Sequence, residues 1–308
     1  AGLAMLPDLL RLGASGLLGI VALALSRDAF LFQDPSAHSV QESLVYYTDL
    51  RANKALVYQK FVPTCCAMLA LGALANLFSR RSLLSLLTVA TLFATAFYNG
   101  KLVVTPLKGL ADSNDSASVL EGVAQGHIID AFGLSAALFL FYFDRRLHHS
   151  RVPLHSMGCF LLVGMIAQDL GYDLPFLPPA TATAEDLQRA HRYYKYNVGC
   201  KALMAGFIPI VILVSSASLI ICARRRGGIS SLLQIIAAAL SGLCFVTQVA
   251  GPEEKLAGIR PTDPESTALV TQIASGHVLA AALLLSVVAI EFVRGPPRQH
   301  HYRKKKRA

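Results

Sequence analysis

The chain has 308 residues, 54% hydrophobic and only 15% charged, with a mean hydropathy of +0.50. A water-soluble domain of this length needs a charged skin, so these values exclude an ordinary soluble protein and make lipid the solvent. The net charge of +9 does not indicate nucleic acid, because the basic residues form short clusters between long apolar runs and no Trp is present to help build a stacking platform.

Crossing the hydrocarbon core takes about 20 apolar residues, since a helix rises about 1.5 Å per residue through about 30 Å. The first segment that qualifies, Leu3–Ser26, is long for the core of a signal peptide and has a counterpart later in the chain, so it is a predicted span. A long connection from Arg27 to Lys60 follows, carrying Leu44-Val45-Tyr46-Tyr47. The second and third spans, Phe61–Ser79 and Ser82–Pro106, are joined by Ser79-Arg80-Arg81-Ser82, a turn short enough to impose an antiparallel hairpin. Val119–Phe143 is the fourth span and Val152–Gly171 the fifth. A second long connection, Tyr172 to Gly199, carries His191-Arg192-Tyr193-Tyr194-Lys195-Tyr196. Both connections are expected to hold interfacial helices, since Tyr is at home at headgroup level. Cys200–Ala223 and Ile229–Ala250 flank the turn Arg224-Arg225-Arg226-Gly227-Gly228, and Ala268–Phe292 completes eight spans. The expected fold is all-α and polytopic. The six cysteines, Cys65, Cys66, Cys159, Cys200, Cys222 and Cys244, lie in or beside apolar segments without metal-type spacing, as small packing residues do.

Eight spans place both termini on one side. That side carries Arg80, Arg81, Arg145, Arg146, Arg151, Arg224, Arg225, Arg226, Arg294, Arg298 and the basic run from Arg303 to Arg307, with Asp144 as its acid. The opposite side mixes cations with Asp28, Asp34, Glu42, Asp112, Asp115, Asp173, Glu185, Asp186, Glu253, Glu254, Asp263 and Glu265. All the short loops lie on the arginine-rich side, so that side, and the C-terminus with it, is expected in the cytosol, or in the matrix of a mitochondrion. The tail ends in Lys305-Lys306-Arg307-Ala308, with lysines third and fourth from the terminus. This resembles a dilysine retrieval signal and favours the endoplasmic reticulum, with the mitochondrial inner membrane as the alternative; contact with anionic lipid would also account for it.

At an offset of about 147, Tyr46-Tyr47 falls on Tyr193-Tyr194, Lys54-Ala55-Leu56 on Lys201-Ala202-Leu203, and Phe61-Val62-Pro63 on Phe207-Ile208-Pro209. Arg80-Arg81 then meets Arg224-Arg225, Pro106 meets Pro252, and Gly126-His127 meets Gly276-His277 at 150. Ordered landmarks at matching helix ends predict a duplication. Residues 1–150 and 151–296 form two co-oriented four-helix units, and 297–308 a basic tail. Parallel repeats disfavour an inverted-repeat transporter but leave a parallel-repeat carrier open.

Polar side chains within a membrane are expensive and therefore functional candidates. They gather towards the acid-bearing side: Asn99 and Lys101 on the third span, Gln125, His127 and Asp130 on the fourth, Gln168 and Asp169 on the fifth, Gln248 on the seventh, Gln272 and His277 on the eighth. Asp130 follows His127 by three residues, so the two can share a helix face as acid/base and orienting group, with Asn99 nearby. His277, Gln248 and Lys101 are candidate ligand contacts. His127 and His277 also form a candidate pair of axial haem ligands. Alternatively, each histidine satisfies itself within its own unit, on Asn99 or Gln248, while Lys101 and Asp169 snorkel from helix ends. No Gly-rich phosphate loop, HExxH, GxSxG or CxxC occurs, so the common nucleotide-binding, protease, hydrolase and thioredoxin classes lack support.

Phe61-Val62-Pro63 opening the second span, Tyr98-Asn99 and Pro106 closing the third, and Gly126-His127 in the fourth resemble four-span membrane families that include the anthrone-oxygenase-like proteins. The second half keeps Phe207-Ile208-Pro209, Pro252 and Gly276-His277 without an Asn matching Asn99. The resemblance implies a cofactor-poor oxidoreductase-like site centred on His127. Composition itself points first to an accessory or structural subunit of a membrane assembly, packing against lipids or protein partners through small residues such as Ala67, Ala70, Gly72, Ala73 and Ala75. An enzyme for a small lipophilic substrate, using His127 and Asp130, and a parallel-repeat carrier are the alternatives.

Overall fold

The computed structural model describes residues 6–33, 37–52, 57–80, 83–109, 116–143, 153–199 and 206–294. Among these the chain is helical throughout, with no strand. The helices are α1 (Leu6–Gln33), α2 (Ala37–Ala52), α3 (Val62–Arg80), α4 (Leu83–Asn99), α5 (Thr105–Gly109) and α6 (Ser116–Phe143), then α7 (Leu154–Asp173), α8 (Ala184–Gly199), α9 (Ile208–Arg226), α10 (Ile229–Cys244), α11 (Gly251–Gly258) and α12 (Glu265–Arg294). The expected unit boundary near Ser150, the matched Lys54-Ala55-Leu56 and Lys201-Ala202-Leu203 and the tail 297–308 lie outside the described residues.

Among the described residues, seven helical stretches are long and apolar enough to span a bilayer: Asp8–Ala29, Leu83–Leu107, Ser116–Phe141, Leu154–Phe176, Ile208–Arg226, Ile229–Gly258 and Glu265–Val293. Large apolar side chains stand outward along them, among them Phe93, Phe132, Leu213 and Val293. An integral membrane protein follows, since water would not tolerate such a surface. The second expected span is represented by a shorter apolar helix, Gln59–Ala75. At about 1.5 Å per residue its length falls below the hydrocarbon thickness. It nevertheless runs antiparallel along α1, with Gly72 against Leu10 and Cys65 against Gly13 and Gly16.

Local chemistry sets the ends. Pro209 sits in the first turn of α9, where a missing N–H is harmless, and Arg224, Arg225 and Arg226 complement the carbonyl-rich last turn. Gly227 and Gly228 then reverse the chain at φ of 59° and 81°, values that favour glycine. Two spans change pitch partway: π-helical turns at Gly100–Val104 and Phe245–Ala250 continue α4 and α10 into α5 and α11.

α1 packs on α3 and α6, and α4 on α6; α7 packs on α9 and α12, and α10 on α12. α1 and α7 join the two groups along a seam where glycines bring the backbones together: a Cβ on Gly19 would lie 2.1 Å from the Leu161 carbonyl oxygen, and one on Gly164 2.2 Å from that of Gly16. Beyond the spans, α2 lies over α1 and α6, and α8 over α7, α11 and α12. These are the helices expected at the interface, yet Tyr46, Tyr47, Tyr193 and Tyr194 are buried instead of sitting at headgroup level. Each Tyr pair turns down into the bundle, where Tyr47, Tyr193 and Tyr194 donate to carboxylates and Tyr46 accepts from Gln168. At the arginine-rich end a buried knot closes the second group: Arg226 and Gln234 donate to Glu291, and Gln234 also donates to the Val287 carbonyl at 3.1 Å.

Candidate functional sites

α1 carries Asp28 at the end of its apolar stretch, Asp8–Ala29, and under α2, where the residue is 1% exposed. Tyr47 on α2 donates its hydroxyl to Asp28 Oδ1 at 2.5 Å, and His127 on α6 places Nδ1 2.7 Å from Asp28 Oδ2. The Tyr47 hydroxyl is also 3.4 Å from that Nδ1, and the two rings stack with centroids 6.1 Å apart. A carboxylate accepts, so Nδ1 carries the proton; in the neutral ring Nε2 then presents its lone pair. Three chain segments thus hold one imidazole in a fixed orientation and tautomer.

The same three residue types meet in the second group. His277 on α12 lies with Nδ1 2.8 Å from Asp173 Oδ2, Tyr194 on α8 donates to Asp173 Oδ1, and the Tyr194 and His277 centroids are 6.1 Å apart. Further acids crowd this copy. Asp169 Oδ2 is 3.6 Å from His277 Nε2 and Asp169 Oδ1 accepts from the Tyr193 hydroxyl, while Glu253 on α11 is buried beside the cluster. Burial, then the charges of Asp169 and Asp173, push the Tyr193 and Tyr194 hydroxyls well above the ordinary tyrosine value, so both remain donors.

Arg27, next to Asp28, ties the two clusters together. Its guanidinium lies 3.9 Å from the Tyr46 ring centroid and 4.2 Å from that of Tyr193, and donates to Asn197 Oδ1 at 2.5 Å. Gln168 on α7 donates to the Tyr46 hydroxyl, and Tyr172 stacks on Tyr193 with centroids 3.8 Å apart. Gly126 and Gly276 let the histidine-bearing helices close on the π turns: an added Cβ would fall 2.5 Å from Val103 Cγ2 in one case and 2.7 Å from Gln248 Cβ in the other.

The two clusters face spaces of different size. His127 lines a cavity of about 650 Å³ with Asn99, Asp130, Gln168, Tyr46 and Tyr47 at one end and Leu17, Leu69, Leu92 and Leu134 along its walls. His277 lines a separate pocket of about 120 Å³, shared with Asp169, Glu253 and Asn197. The first has the volume of a small-molecule site, roughly 300–1,000 Å³. The second has room for a few waters.

Of the six residues singled out from sequence, His127, Asp130 and Asn99 come together in the large cavity. Their pairing differs from expectation: Asp130 Oδ2 accepts from Asn99 Nδ2 at 2.5 Å, and the group that orients His127 is Asp28. Helix geometry permits an i+3 contact, but the carboxylate at the end of α1 meets Nδ1 directly. His277 belongs to the other pocket, bound to Asp173 and not to Gln248, so a haem suspended between the two histidines is not the arrangement present. Gln248 is half-buried on its π turn and accepts from Gln272 at 3.3 Å, and Lys101 is exposed; neither lines a cavity described here. Asp169, expected to snorkel, is one turn inside α7 and held by Tyr193. Sequence reasoning missed Asp28 and Asp173 because each looks like a loop acid at the end of a span. Their spacing of 145, in step with the tyrosine and histidine pairs, is the signal that identifies them.

Among the described residues no group of three or more His, Cys, Asp or Glu side chains is placed to hold a metal ion. No protein-family model, curated protein or solved structure matches the chain.

Proposed function

We propose that the protein is a membrane-embedded enzyme acting by proton transfer on a small lipophilic substrate held in the 650 Å³ cavity. The observation that carries this reading is His127: Nδ1 is fixed by Asp28 and Tyr47, Nε2 makes no hydrogen bond among the described residues, and the ring lines a cavity large enough for a substrate. In this reading His127 Nε2 takes or gives the proton, Asp28 stabilises the imidazolium formed in passing, and Asn99 with Asp130 forms the polar wall opposite. The resemblance to the anthrone-oxygenase-like families also puts His127 first. The duplication expected from sequence supports the same view. The Asp–His–Tyr set occurs twice, and the burial of α6 from Gly126 to Phe141 recurs nearly position for position in α12 from Gly276 to Glu291. On this view residues 1–150 are the working copy, and residues 151–296 a filled copy that braces it.

A carrier needs its cavity between the units, whereas the cavities lined by His127 and His277 lie mainly among the helices of one group each. An accessory or structural role does not by itself call for an oriented imidazole at an internal cavity. Reconstituted protein incubated with a total lipid extract and followed by untargeted mass spectrometry tests the proposal. A lipophilic species should be consumed by the wild type, about 10²–10⁴ times more slowly by His127→Ala, and slowly also by Asp28→Asn. Identical profiles for wild type and His127→Ala would reject it.

A further inference from the structure

Asp130 has an oxygen with nothing to do. The residue is 2% exposed and lines the large cavity, Oδ2 accepts from Asn99, and Oδ1 is buried without a hydrogen-bond partner. No Lys or Arg pairs with this carboxylate among the described residues. His127, one turn earlier, has its Nδ1 committed to Asp28, and Lys101 is exposed to the surroundings. A carboxylate in a low-dielectric wall is costly unless a positive charge reaches it, and the protein supplies none at that oxygen.

The rest of the cavity fits an occupant that brings the charge. Tyr46 and Tyr47 line the same end, and aromatic faces attract cations; Arg27 over the Tyr46 ring shows such a contact already made from the other side of the cluster. Away from that end the walls are apolar, with Leu17 and Leu134 among their residues. At the position corresponding to Asp130 the second half has Ala280, and the small pocket there, although rich in acids, offers no buried unpartnered carboxylate oxygen among the described residues. We propose that the cavity takes a lipophilic amine, protonated, with its ammonium on the Asp130 carboxylate and its apolar body along the leucine-lined wall. This deepens the reading above, resting on the first cavity being where a substrate is held, and it names the chemical class.

The test is a binding comparison in nanodiscs of zwitterionic phosphatidylcholine, with empty nanodiscs as the blank. The probes are radiolabelled 4-phenylbutyl-dimethylamine and the neutral 4-phenylbutyl methyl ether at pH 7. The wild type should bind the amine at least about tenfold more tightly than the ether, and Asp130→Asn should lose that preference while holding the ether as before. Equal affinity of the wild type for both probes overturns the proposal without recourse to a variant, as does an amine preference that survives in Asp130→Asn. Because binding is measured without turnover, the two readings fail separately. A protein that selects the amine yet consumes no lipid keeps this inference and loses the enzyme; one that consumes a lipid yet holds both probes alike does the reverse.

Discussion

His191 on α8 shows how a buried imidazole outside the spans acts on stability. Its Nε2 lies 2.9 Å from the Ile259 carbonyl oxygen, which only accepts, so Nε2 carries the proton of the neutral ring. Burial holds this histidine below its ordinary value, with the bond to Ile259 opposing in part. A folded value below the unfolded one means that neutral His191 contributes stability fully above the unfolded value near 6.5, and that the contribution is lost as pH falls towards the lowered folded value. Thermal unfolding in detergent should therefore show a midpoint that drops as the pH falls below about 6.5, and His191→Gln should flatten that part of the profile. A midpoint with the same pH slope in both proteins would contradict this account. Asp28 and Asp173 illustrate what residue identity leaves undetermined. A carboxylate that ends a span and one that sits in a wet loop have the same letter and similar neighbours; the difference is made by histidines 99 and 104 positions away in the chain.

At the scale of elements, glycines separate into those that a neighbour requires and those that none does. Gly164 and Gly19 bring α7 and α1 into backbone contact, so Gly164→Ala should push the helices apart and lower the unfolding midpoint. Gly122, inside α6, meets nothing within 4 Å, so Gly122→Ala should stabilise by up to about 1 kcal/mol through helix propensity alone. Opposite signs for the two variants in a denaturation series are the expected result; a neutral Gly164→Ala would dissolve the seam as a structural feature. The helices themselves were legible because apolar runs of 20 or so residues have few other uses. The tyrosine pairs on α2 and α8 were legible as helical but not as buried. Tyr suits a headgroup belt and a buried hydrogen-bonded site equally well, and only the carboxylates beneath decide between them.

For the whole molecule, the placement of arginine sets the direction of insertion, a property independent of any site. Arg225 near the end of α9 and Thr262 beyond α11 flank the apolar stretch Ile229–Gly258, so they should face opposite compartments. In a background with the native cysteines replaced by alanine, Arg225→Cys should react with a membrane-impermeant maleimide from the cytosolic or matrix side and Thr262→Cys from the other. Labelling of both from one side would deny that segment a crossing. The all-helical membrane architecture could be anticipated from the apolar runs. The difference between the two pockets could not: the residues that fill one pocket and empty the other, Glu253 and Asp169 against Asp130 and Asn99, acquire their meaning from volumes that no linear pattern carries.

The π turn from Gly100 to Val104 amounts to one extra residue threaded into an α-helix. Winding the same residues at ordinary pitch, with none removed, would swivel the flanking segments by roughly 100° about their common axis. Asn99 would be rotated away from Asp130, and Val103 would lose its seat on Gly126. The polar wall therefore owes its alignment to a widened turn, which a uniform α-helix would forfeit even with every named side chain still present.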